Sequence, residues 1–259
     1  MQEVKKIDIN KVNDIIEKAK RENRSILDVA ESKDILKACG ITVNKFGVAR
    51  SSEDARQLAN EIGCPVVMKI VSTDPKLLHK TDMGGVAVGI ATPEEAAQTF
   101  DDMTARIMRA GITRASMEGI MVEEMVEGVE IIIGTTIDPT FGPLIMTGLG
   151  GIFVEVLKDV SFRVVPITEY DAREMLDEIK AKKILEGVRG KPPVNKDAIV
   201  KSLLLISELI MNVSWEQDDK AKQQLPIIRE IDINPLFATE KEVIAVDCRV
   251  ILTSESNEA

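Results

Sequence analysis

The sequence contains little histidine and few aromatic residues, and its charge is mostly negative. One histidine in 259 residues excludes zinc sites built from several imidazoles. Aromatic residues make up 3%, so stacking surfaces for single-stranded nucleic acid are scarce. The chain has 43 Asp and Glu against 33 Lys and Arg, a net charge of −10, and such a surface repels a phosphate backbone. General nucleic-acid binding is therefore disfavoured.

Cysteines and long apolar runs are also scarce. Cys39, Cys64 and Cys248 lie far apart and lack metal-ligand spacing, so we expect buried or half-buried thiols in a reducing compartment. The first ten residues lack the apolar stretch of a secretory signal. The longest apolar run, 203–213, contains polar residues and is too short to cross a bilayer. These features predict a cytoplasmic protein.

What the sequence does contain is a mixture of helical and strand patterns, with 44% hydrophobic and 29% charged residues, as in a globular protein. Helical spacing and capping residues predict helices at 8–39 (two helices, the second capped by Ser25 and ended by Gly40), 51–62, 92–111, 168–186 and 196–213. Runs of Val and Ile predict strands at 43–49, 66–71, 86–91, 119–125, 129–137, 143–148, 161–166, 227–233 and 242–250. The fold class is therefore expected to be α+β.

A change of composition near 113–118 predicts a boundary between two α+β lobes. The predicted organisation is an N-terminal helical extension, a first subdomain, a second subdomain and a frayed tail, at 1–24, 25–118, 119–253 and 254–259. The polar segment 214–226 is expected to be an exposed excursion from the second subdomain.

A long loop over 72–85 connects two predicted strands, and loops of this length within a compact domain are usually functional. It ends in Gly84 and Gly85, which let a backbone approach a ligand closely. Lys69, in the strand before it, needs a counter-charge or access to solvent. The counter-charge could be a phosphate or a carboxylate from the other lobe, and solvent could be reached from an edge strand. His79 on the loop is either a functional imidazole or an ordinary surface residue, and the pattern alone leaves both open.

Common glycine-rich nucleotide motifs are incomplete in this sequence. A Walker A sequence is absent, which disfavours a P-loop nucleotidase. The run GLGG at 148–151 resembles half of a dinucleotide fingerprint, but Phe153 stands where the final glycine is needed. The pattern therefore favours a tight turn.

The C-terminal strands carry oxygen-bearing side chains. Glu230, Asp232 and Asn234 alternate with isoleucines, and the period of two places them on one face. If this strand pairs with 242–250 as a hairpin, Asp247 comes near Asn234. These oxygens together with ATP phosphates suit octahedral Mg²⁺, whereas an outward solvated face is the alternative.

Four motifs in fixed order connect these features to a known family. HKTDMGGV, MVEEMVEGVEIIIG, DPTFGPLIMTGLGGIFVEVLKD and EIDINPL resemble the β subunit of ADP-forming acetate–CoA ligase, an NDP-forming acyl-CoA synthetase. The resemblance covers residues 25–253 and implies an ATP-grasp fold, two α+β subdomains with the nucleotide between them. It also implies that a CoA-binding α subunit supplies a phosphoryl group, which passes through a histidine of this chain to ADP in an α2β2 assembly.

The same resemblance assigns roles to individual residues. His79 matches the phosphoryl-carrying histidine, and Asp232 matches an acidic partner that touches metal or orients His79; Glu155 and Asp159 are the other candidates for that orienting carboxylate. The implied nucleotide-binding residues are Lys69, Gly84, Gly85, Val86, Glu123, Glu124, Met125 and Glu130. The implied Mg²⁺ ligands are Asn234 and Asp247.

Two other functions remain open at this point. One is an ATP-grasp carboxylate ligase that works through a free acyl phosphate and needs no histidine carrier, so that it would tolerate His79→Ala. The other is a regulatory ATP-grasp module that senses nucleotide for a partner. A regulatory module could have lost catalytic residues, and the presence of Lys69, Glu130, Asn234 and Asp247 together argues against such a loss.

Overall fold

A computed structural model describes residues 7–72, 85–111, 117–188, 190–218 and 223–253. Its helices are α1 (Ile9–Arg21), α2 (Val29–Ala38), α3 (Ser52–Ile62), α4 (Pro93–Arg109), α5 (Ile152–Glu155), α6 (Glu169–Glu178) and α7 (Lys196–Asn212), with a 3-10 helix at Lys182–Glu186. Its strands are β1 (Phe46–Ala49), β2 (Val66–Ser72), β3 (Val86–Ile90), β4 (Met117–Glu124), β5 (Val129–Asp138), β6 (Gly142–Leu149), β7 (Val160–Val164), β8 (Trp215–Asp218), β9 (Gln223–Pro226), β10 (Ile228–Ala238), β11 (Val243–Ala245) and β12 (Cys248–Leu252). Helices and antiparallel strands thus share the chain, and the α+β prediction is confirmed.

Local capping chemistry sets where the helices begin. The Thr92 side chain accepts a hydrogen bond from the first turn of α4 and Pro93 occupies that turn, as the sequence predicts. The predicted cap of α2 at Ser25 is wrong. Instead Asp28 accepts the backbone N–H of Glu31, and the Glu31 carboxylate accepts the backbone N–H of Asp28. This reciprocal pair satisfies two helix-end donors at once, so it fixes the start of α2.

The structure divides into two compact units, one of residues 44–126 and one of 1–43 with 127–259. The smaller unit is a four-stranded antiparallel sheet in the order β1-β4-β2-β3, packed against α3 and α4. This division differs from the predicted subdomains. Because β4 pairs with both β1 and β2, the chain leaves the smaller unit after β4 rather than before it.

The larger unit is built on an antiparallel sheet in the order β11-β10-β5-β6-β7, with β12 also paired to β10. One face carries buried isoleucines such as Ile133 and Ile233, which pack with the helices in a single core. Helix α1 contributes Val12 and Ile16 to this core, so residues 7–24 are part of the larger unit rather than a separate extension.

The other face of that sheet is defined by its register. Phe162, Met146, Gly134, Asp232 and Arg249 are paired in one row across β7, β6, β5, β10 and β12. Paired residues of an antiparallel sheet share a face, and the isoleucine neighbours of Asp232 alternate to the opposite face. The sheet therefore presents Asp232 on the face away from the isoleucine core.

Two polar or apolar segments near the C-terminus, 214–226 and 203–213, also belong to the larger unit. Within the segment 214–226, predicted to be an exposed excursion, β8 and β9 pair as antiparallel strands. Leu225 and Pro226 of β9 are buried, so this part of the segment is not exposed. The apolar run 203–213 lies mostly in α7, which packs into the core. In the part of the chain that is described, no helix is both long and apolar enough to cross a membrane.

The cysteines are placed as the sequence suggested. Cys39 and Cys248 are buried and Cys64 is half-buried, all as free thiols. Burial raises the pKa of Cys39 to about 12 and also raises the pKa of Cys248. Thiols held neutral in this way are poor nucleophiles and metal ligands.

Candidate functional site

The C-terminal strands bring the predicted metal ligands together. In the pairing of β10 with β12, Asp232 lies opposite Arg249. Two residues further along β10, the backbone N–H of Asn234 donates to the backbone oxygen of Asp247 at 3.2 Å. The expected hairpin proximity of Asn234 and Asp247 is therefore present in the structure.

Asp232 lies in an acidic environment on this face. Burial raises the pKa of the Asp232 carboxyl, the Glu230 and Asp247 carboxylates raise it further, and Arg249 opposes them. Arg249 Nη2 lies 3.4 Å from Glu230 Oε1, so the Arg249 charge is shared between Glu230 and Asp232. A half-buried carboxyl in this setting is stabilised by an added cation or by a proton.

The donor set is suited to a hard cation that keeps other ligands. Asn234 and Asp247 offer an amide oxygen and a carboxylate, which are ligands of Mg²⁺. Across the described ranges no group of three His, Cys, Asp or Glu side chains is arranged to hold a metal. Because Mg²⁺ usually takes one or two protein carboxylates and completes its shell with water and phosphate, two protein donors fit it better than they fit zinc.

Lys69 finds its counter-charge within the smaller unit. Its Nζ lies 2.8 Å from Oε2 of Glu123, which is fully buried, while the Lys69 side chain is 17% exposed. The strand register explains the contact, because Lys69 is paired with Met121 and Glu123 is two residues further along β4. The sequence left three partners open for Lys69, namely a phosphate, a carboxylate from the other lobe, or solvent. In the structure a carboxylate of the neighbouring strand, Glu123, pairs with it.

The two residues after Glu123 lie at the exit of the smaller unit. The Glu124 carboxylate accepts the backbone N–H of Lys45 at 3.1 Å, and the Glu124 backbone oxygen accepts Nδ2 of Asn44 at 3.2 Å. Met125 is half-buried. These bonds fasten the end of β4 to the start of the unit.

The predicted phosphate loop is described only at its end. Val86 is paired with Lys69, and the backbone oxygen of Gly85 accepts the N–H of Ile70 at 3.0 Å, so the loop rejoins the sheet next to the lysine. His79 and Gly84 lie outside the described residues. The side chain of Glu155 does so as well.

The larger unit contains a cavity of about 890 Å³ beside Glu130. Its lining residues come from the start of β5, from the end of β6 with the turn and α5 that follow it, and from the segment after α6. They are Gly128, Val129, Glu130, Leu149, Gly150, Gly151, Phe153, Ile184, Val188, Lys191 and Pro192. Most of these residues are apolar or glycine. Such a mixture, with few polar groups, is typical of small-molecule sites.

The glycines of the GLGG run make room for the Glu130 side chain. The N–H of Gly150 donates to the backbone oxygen of Glu130 at 2.8 Å, and a Cβ on Gly150 would lie 2.9 Å from the Glu130 Cβ. Gly151 has φ +60°, and a Cβ there would lie 3.2 Å from Glu130 Oε2. The sequence indicated only a tight turn at this run. The run directly follows the predicted strand 143–148, the next strand along the chain after the one that contains Glu130, and this order was the signal that the two could meet.

Asp159 has a structural role. It is buried, and its two carboxylate oxygens accept the backbone N–H groups of Lys180 and Ala181, each at 2.9 Å. Those donors follow α6, so Asp159 holds the chain where this helix ends. Asp232, by contrast, lies on the face of the sheet away from the core.

Comparison with known proteins agrees with this architecture. A family model described as an ATP-grasp domain matches residues 18–252. The chain is 48% identical over 245 residues to the β subunit of ADP-forming acetate–CoA ligase I from Pyrococcus furiosus, covering 94% of this chain and 99% of that one. Acetyl-coenzyme A synthetase 1 of Ca. Korarchaeum cryptofilum, solved with coenzyme A and Ca-AMPCP, matches with a TM-score of 0.81, 40% identity and coverage of 93% of this chain and 99% of that one.

Another structure of the Korarchaeum enzyme carries coenzyme A and Mg-AMPPCP, and its phosphohistidine segment points towards the nucleotide-binding site. It matches with a TM-score of 0.76 and 37% identity, covering 93% of this chain and 100% of that one. Fold and family match together define an ATP-grasp protein. Within that class, the chain belongs to the family of ADP-forming acid–CoA ligase β subunits.

Proposed function

We propose that this chain is the nucleotide-binding subunit of an ADP-forming acyl-CoA synthetase, in which His79 carries a phosphoryl group from a phosphohistidine of a partner subunit to ADP. The observation that carries the proposal is the C-terminal pairing that joins Asn234 to Asp247 and places Asp232 on the same face of the sheet. The likeness to a β subunit over 99% of its length supports the reaction class.

Each unit offers residues suited to a nucleotide. In the smaller unit, the Lys69 ammonium keeps partial exposure beside Glu123, so it can also meet a phosphate. In the larger unit, the Glu130 carboxylate lines the cavity and suits the two hydroxyls of a ribose. We assign the phosphates to Lys69 and to the loop ending in Gly85 and Val86, and the ribose to Glu130.

The proposed transfer is a nucleophilic displacement at phosphorus. A terminal oxygen of the ADP β-phosphate forms the new P–O bond while the P–N bond to His79 breaks, and the electron pair of that bond returns to the imidazole nitrogen. No oxidant or reductant is needed. Asp232 would hold the other imidazole nitrogen, which fixes the tautomer and stabilises the charged form of the ring.

Asn234 and Asp247 would hold Mg²⁺, since their oxygens are the donors this ion prefers. When bound, Mg²⁺ neutralises phosphate charge. Asp232 and Glu230 add negative potential to the same face, which favours cation binding.

A labelling experiment tests the carrier directly. The chain is incubated with its CoA-binding partner, acetyl-CoA and labelled phosphate, without ADP. We expect an acid-labile label on this chain, and because His79 is its single histidine, a phosphohistidine here needs no mapping. Addition of ADP should move the label to ATP.

The variant His79→Asn separates the proposal from its alternatives. We expect loss of label and a fall in turnover on the order of 10³-fold, with ADP affinity retained. A carboxylate ligase without a carrier would keep turnover in His79→Asn. A regulatory module would bind ADP but give neither label nor turnover in the unmodified protein.

The partner is proposed to be a CoA-binding α subunit in an α2β2 assembly. The naming of the Pyrococcus relative as a β subunit supports a second kind of chain. Co-purification followed by mass measurement in solution tests the stoichiometry.

A further inference from the structure

Helix α2 contains a fully buried lysine. Lys33 is 0% exposed, and Leu36, one turn further along the same side of the helix, is fully buried as well. Burying an ammonium group is costly unless an anion lies beside it, so a lysine in this position is expected to have an acidic partner. Neither the sequence motifs nor the proposed function gives Lys33 a role.

The segment that contains α2 is attached to the C-terminal strands on both sides of the helix. Before α2, the N–H of Leu27 donates to the backbone oxygen of Val250 at 3.1 Å. After α2, the backbone oxygen of Thr42 accepts the N–H of Ala245 at 2.9 Å. Between these two attachments the helix packs against β12. The helix therefore lies alongside the stretch from 245 to 250.

The lengths of the two segments match. Helix α2 has 10 residues and is about 15 Å long, at 1.5 Å per residue. The extended path from residue 245 to residue 250 is about 17 Å, at 3.3 Å per residue. The middle of the helix therefore lies opposite the middle of that path. Lys33 belongs to the first of these middles and Asp247 to the second.

The Cys248 thiol gives independent evidence for the position of the Lys33 charge. Burial raises the pKa of Cys248, the Asp247 and Asp232 carboxylates raise it further, and Lys33 opposes them. One ammonium and two carboxylates thus act on the same buried thiol. Asp247 and Asp232 are therefore the two candidates for the partner of Lys33 on these strands.

Of these two carboxylates, Asp247 is the one that can be reached from the core. Asp232 lies on the face of the sheet away from the isoleucine core and has Arg249 as its opposite charge. Lys33 approaches from the core side, because α2 packs into that core through Leu36. Asp247 is half-buried, so one side of its carboxylate can meet a buried group while the other meets solvent.

The acidic residues of α2 itself are already engaged elsewhere. The Glu31 carboxylate accepts the Lys18 ammonium at 2.9 Å and the Arg24 guanidinium at 2.8 Å. Asp34 lies 3.1 Å from the ammonium of Lys37, and both of these side chains are exposed. The carboxylate best suited to the buried lysine therefore comes from the C-terminal strands.

We infer that Lys33 is a positioning residue that pairs with Asp247 from the core side and holds its carboxylate in place for Mg²⁺. The inference rests on the proposed function, which takes Asp247 as a ligand of that ion. A carboxylate has two oxygens, so one can accept the ammonium while the other faces the cation. Groups that orient a metal ligand in this way typically contribute about 10–100-fold to metal affinity.

A first experiment tests the pairing without any metal. Thermal midpoints of the full chain are measured in EDTA for Lys33→Met, Asp247→Asn and the double variant. Asp247→Asn alone leaves a buried ammonium without its anion and should lower the midpoint by about 6 °C or more. In the Lys33→Met background the same change should cost less than about 2 °C, because no buried charge remains. Equal effects of Asp247→Asn in the two backgrounds would overturn the inference.

A magnesium titration tests the positioning role. The Mg²⁺ concentration needed for half-maximal ADP binding is measured by calorimetry, and we expect Lys33→Met to raise it about tenfold. ADP binding measured without Mg²⁺ should stay within about twofold, since Lys33 is fully buried and acts only through Asp247. The matched control is Lys37→Met, a change at an exposed lysine of the same helix, which should alter neither measurement. An unchanged or lower magnesium requirement in Lys33→Met would overturn the positioning role.

The same measurements distinguish this inference from the proposed function. A magnesium requirement that rises in Asp247→Asn but not in Lys33→Met would overturn the positioning role and leave the metal assignment intact. A requirement that rises in neither variant would overturn the metal assignment and the positioning role together. An unmodified chain that takes no phosphohistidine label would overturn the carrier proposal, whereas the pairing measured in EDTA does not depend on it.

Discussion

Replacing Glu123 with glutamine removes the counter-charge of Lys69 with little change in side-chain volume. Glu123 is fully buried, its Oε2 lies 2.8 Å from Lys69 Nζ, and the lysine is 17% exposed. Removing one partner of a buried pair costs about 3–5 kcal/mol, because the other charge is left uncompensated. Since Lys69 retains some access to solvent, we expect the lower end, about 3 kcal/mol of the free energy of unfolding. That corresponds to a thermal midpoint lower by about 6–12 °C.

Urea unfolding of Glu123→Gln, Lys69→Met and the double variant measures the coupling between the two charges. The double variant should recover a large part of the loss, because an apolar pair needs no desolvated charge. Glu53→Gln is the matched control, since its ion pair with Arg56 in α3 is exposed at both side chains and should leave the midpoint unchanged. If Glu123→Gln costs no more than that control, the pair behaves as a surface pair and the reasoning is refuted.

Three further predictions concern the larger unit. Gly150→Ala places a Cβ 2.9 Å from the Glu130 Cβ and should weaken ADP about tenfold in calorimetry; unchanged affinity would contradict the packing argument. Asp247→Asn should raise the Mg²⁺ concentration needed for half-maximal nucleotide binding, about tenfold, and a magnesium titration with no shift would argue against its role as a ligand. Burial raises the pKa of Glu31, but hydrogen bonds from Arg24 and a neighbouring lysine outweigh it and hold the pKa at about 2, below its ordinary value of 4.5. A lowered folded-state pKa gives stability above about pH 4.5 that is lost as the pH falls towards 2. The free energy of unfolding, measured by urea titration, should therefore fall on acidification by about 2 kcal/mol more than it does in Glu31→Gln.

The elements that were predicted well are those set by neighbouring residues. Thr92 and Pro93 fix the start of α4 through bonds within one turn, so the sequence alone locates it. Period-two alternation around Asp232 also predicted which side chains share a face, and the pairing with β12 agrees. Where two local signals competed, as at Ser25 and Asp28, the reciprocal cap with Glu31 decided the outcome.

Features that depend on distant contacts were not available from the sequence. The contact of Lys69 with Glu123 requires knowing that β2 and β4 are neighbours, which no local pattern states. The residues between β8 and β9 do not include the Asn-Gly or Asp-Gly pair that would predict the pairing of these strands from sequence. Likewise, Ile184 and Val188 lie far from Glu130 in the chain, so only the fold places them at the same cavity.

The bonds between Glu124 and the Asn44–Lys45 stretch have a consequence for how the chain could be dissected. Glu124, two residues before the end of the smaller unit, is bonded to the first two residues of that unit, so the chain enters and leaves it at neighbouring positions. We expect residues 44–126 to fold when produced alone. We also expect the larger unit to fold when a short Gly-Ser bridge joins residue 43 directly to residue 127. Each unit could then be studied, or exchanged with that of a relative, without rebuilding the other.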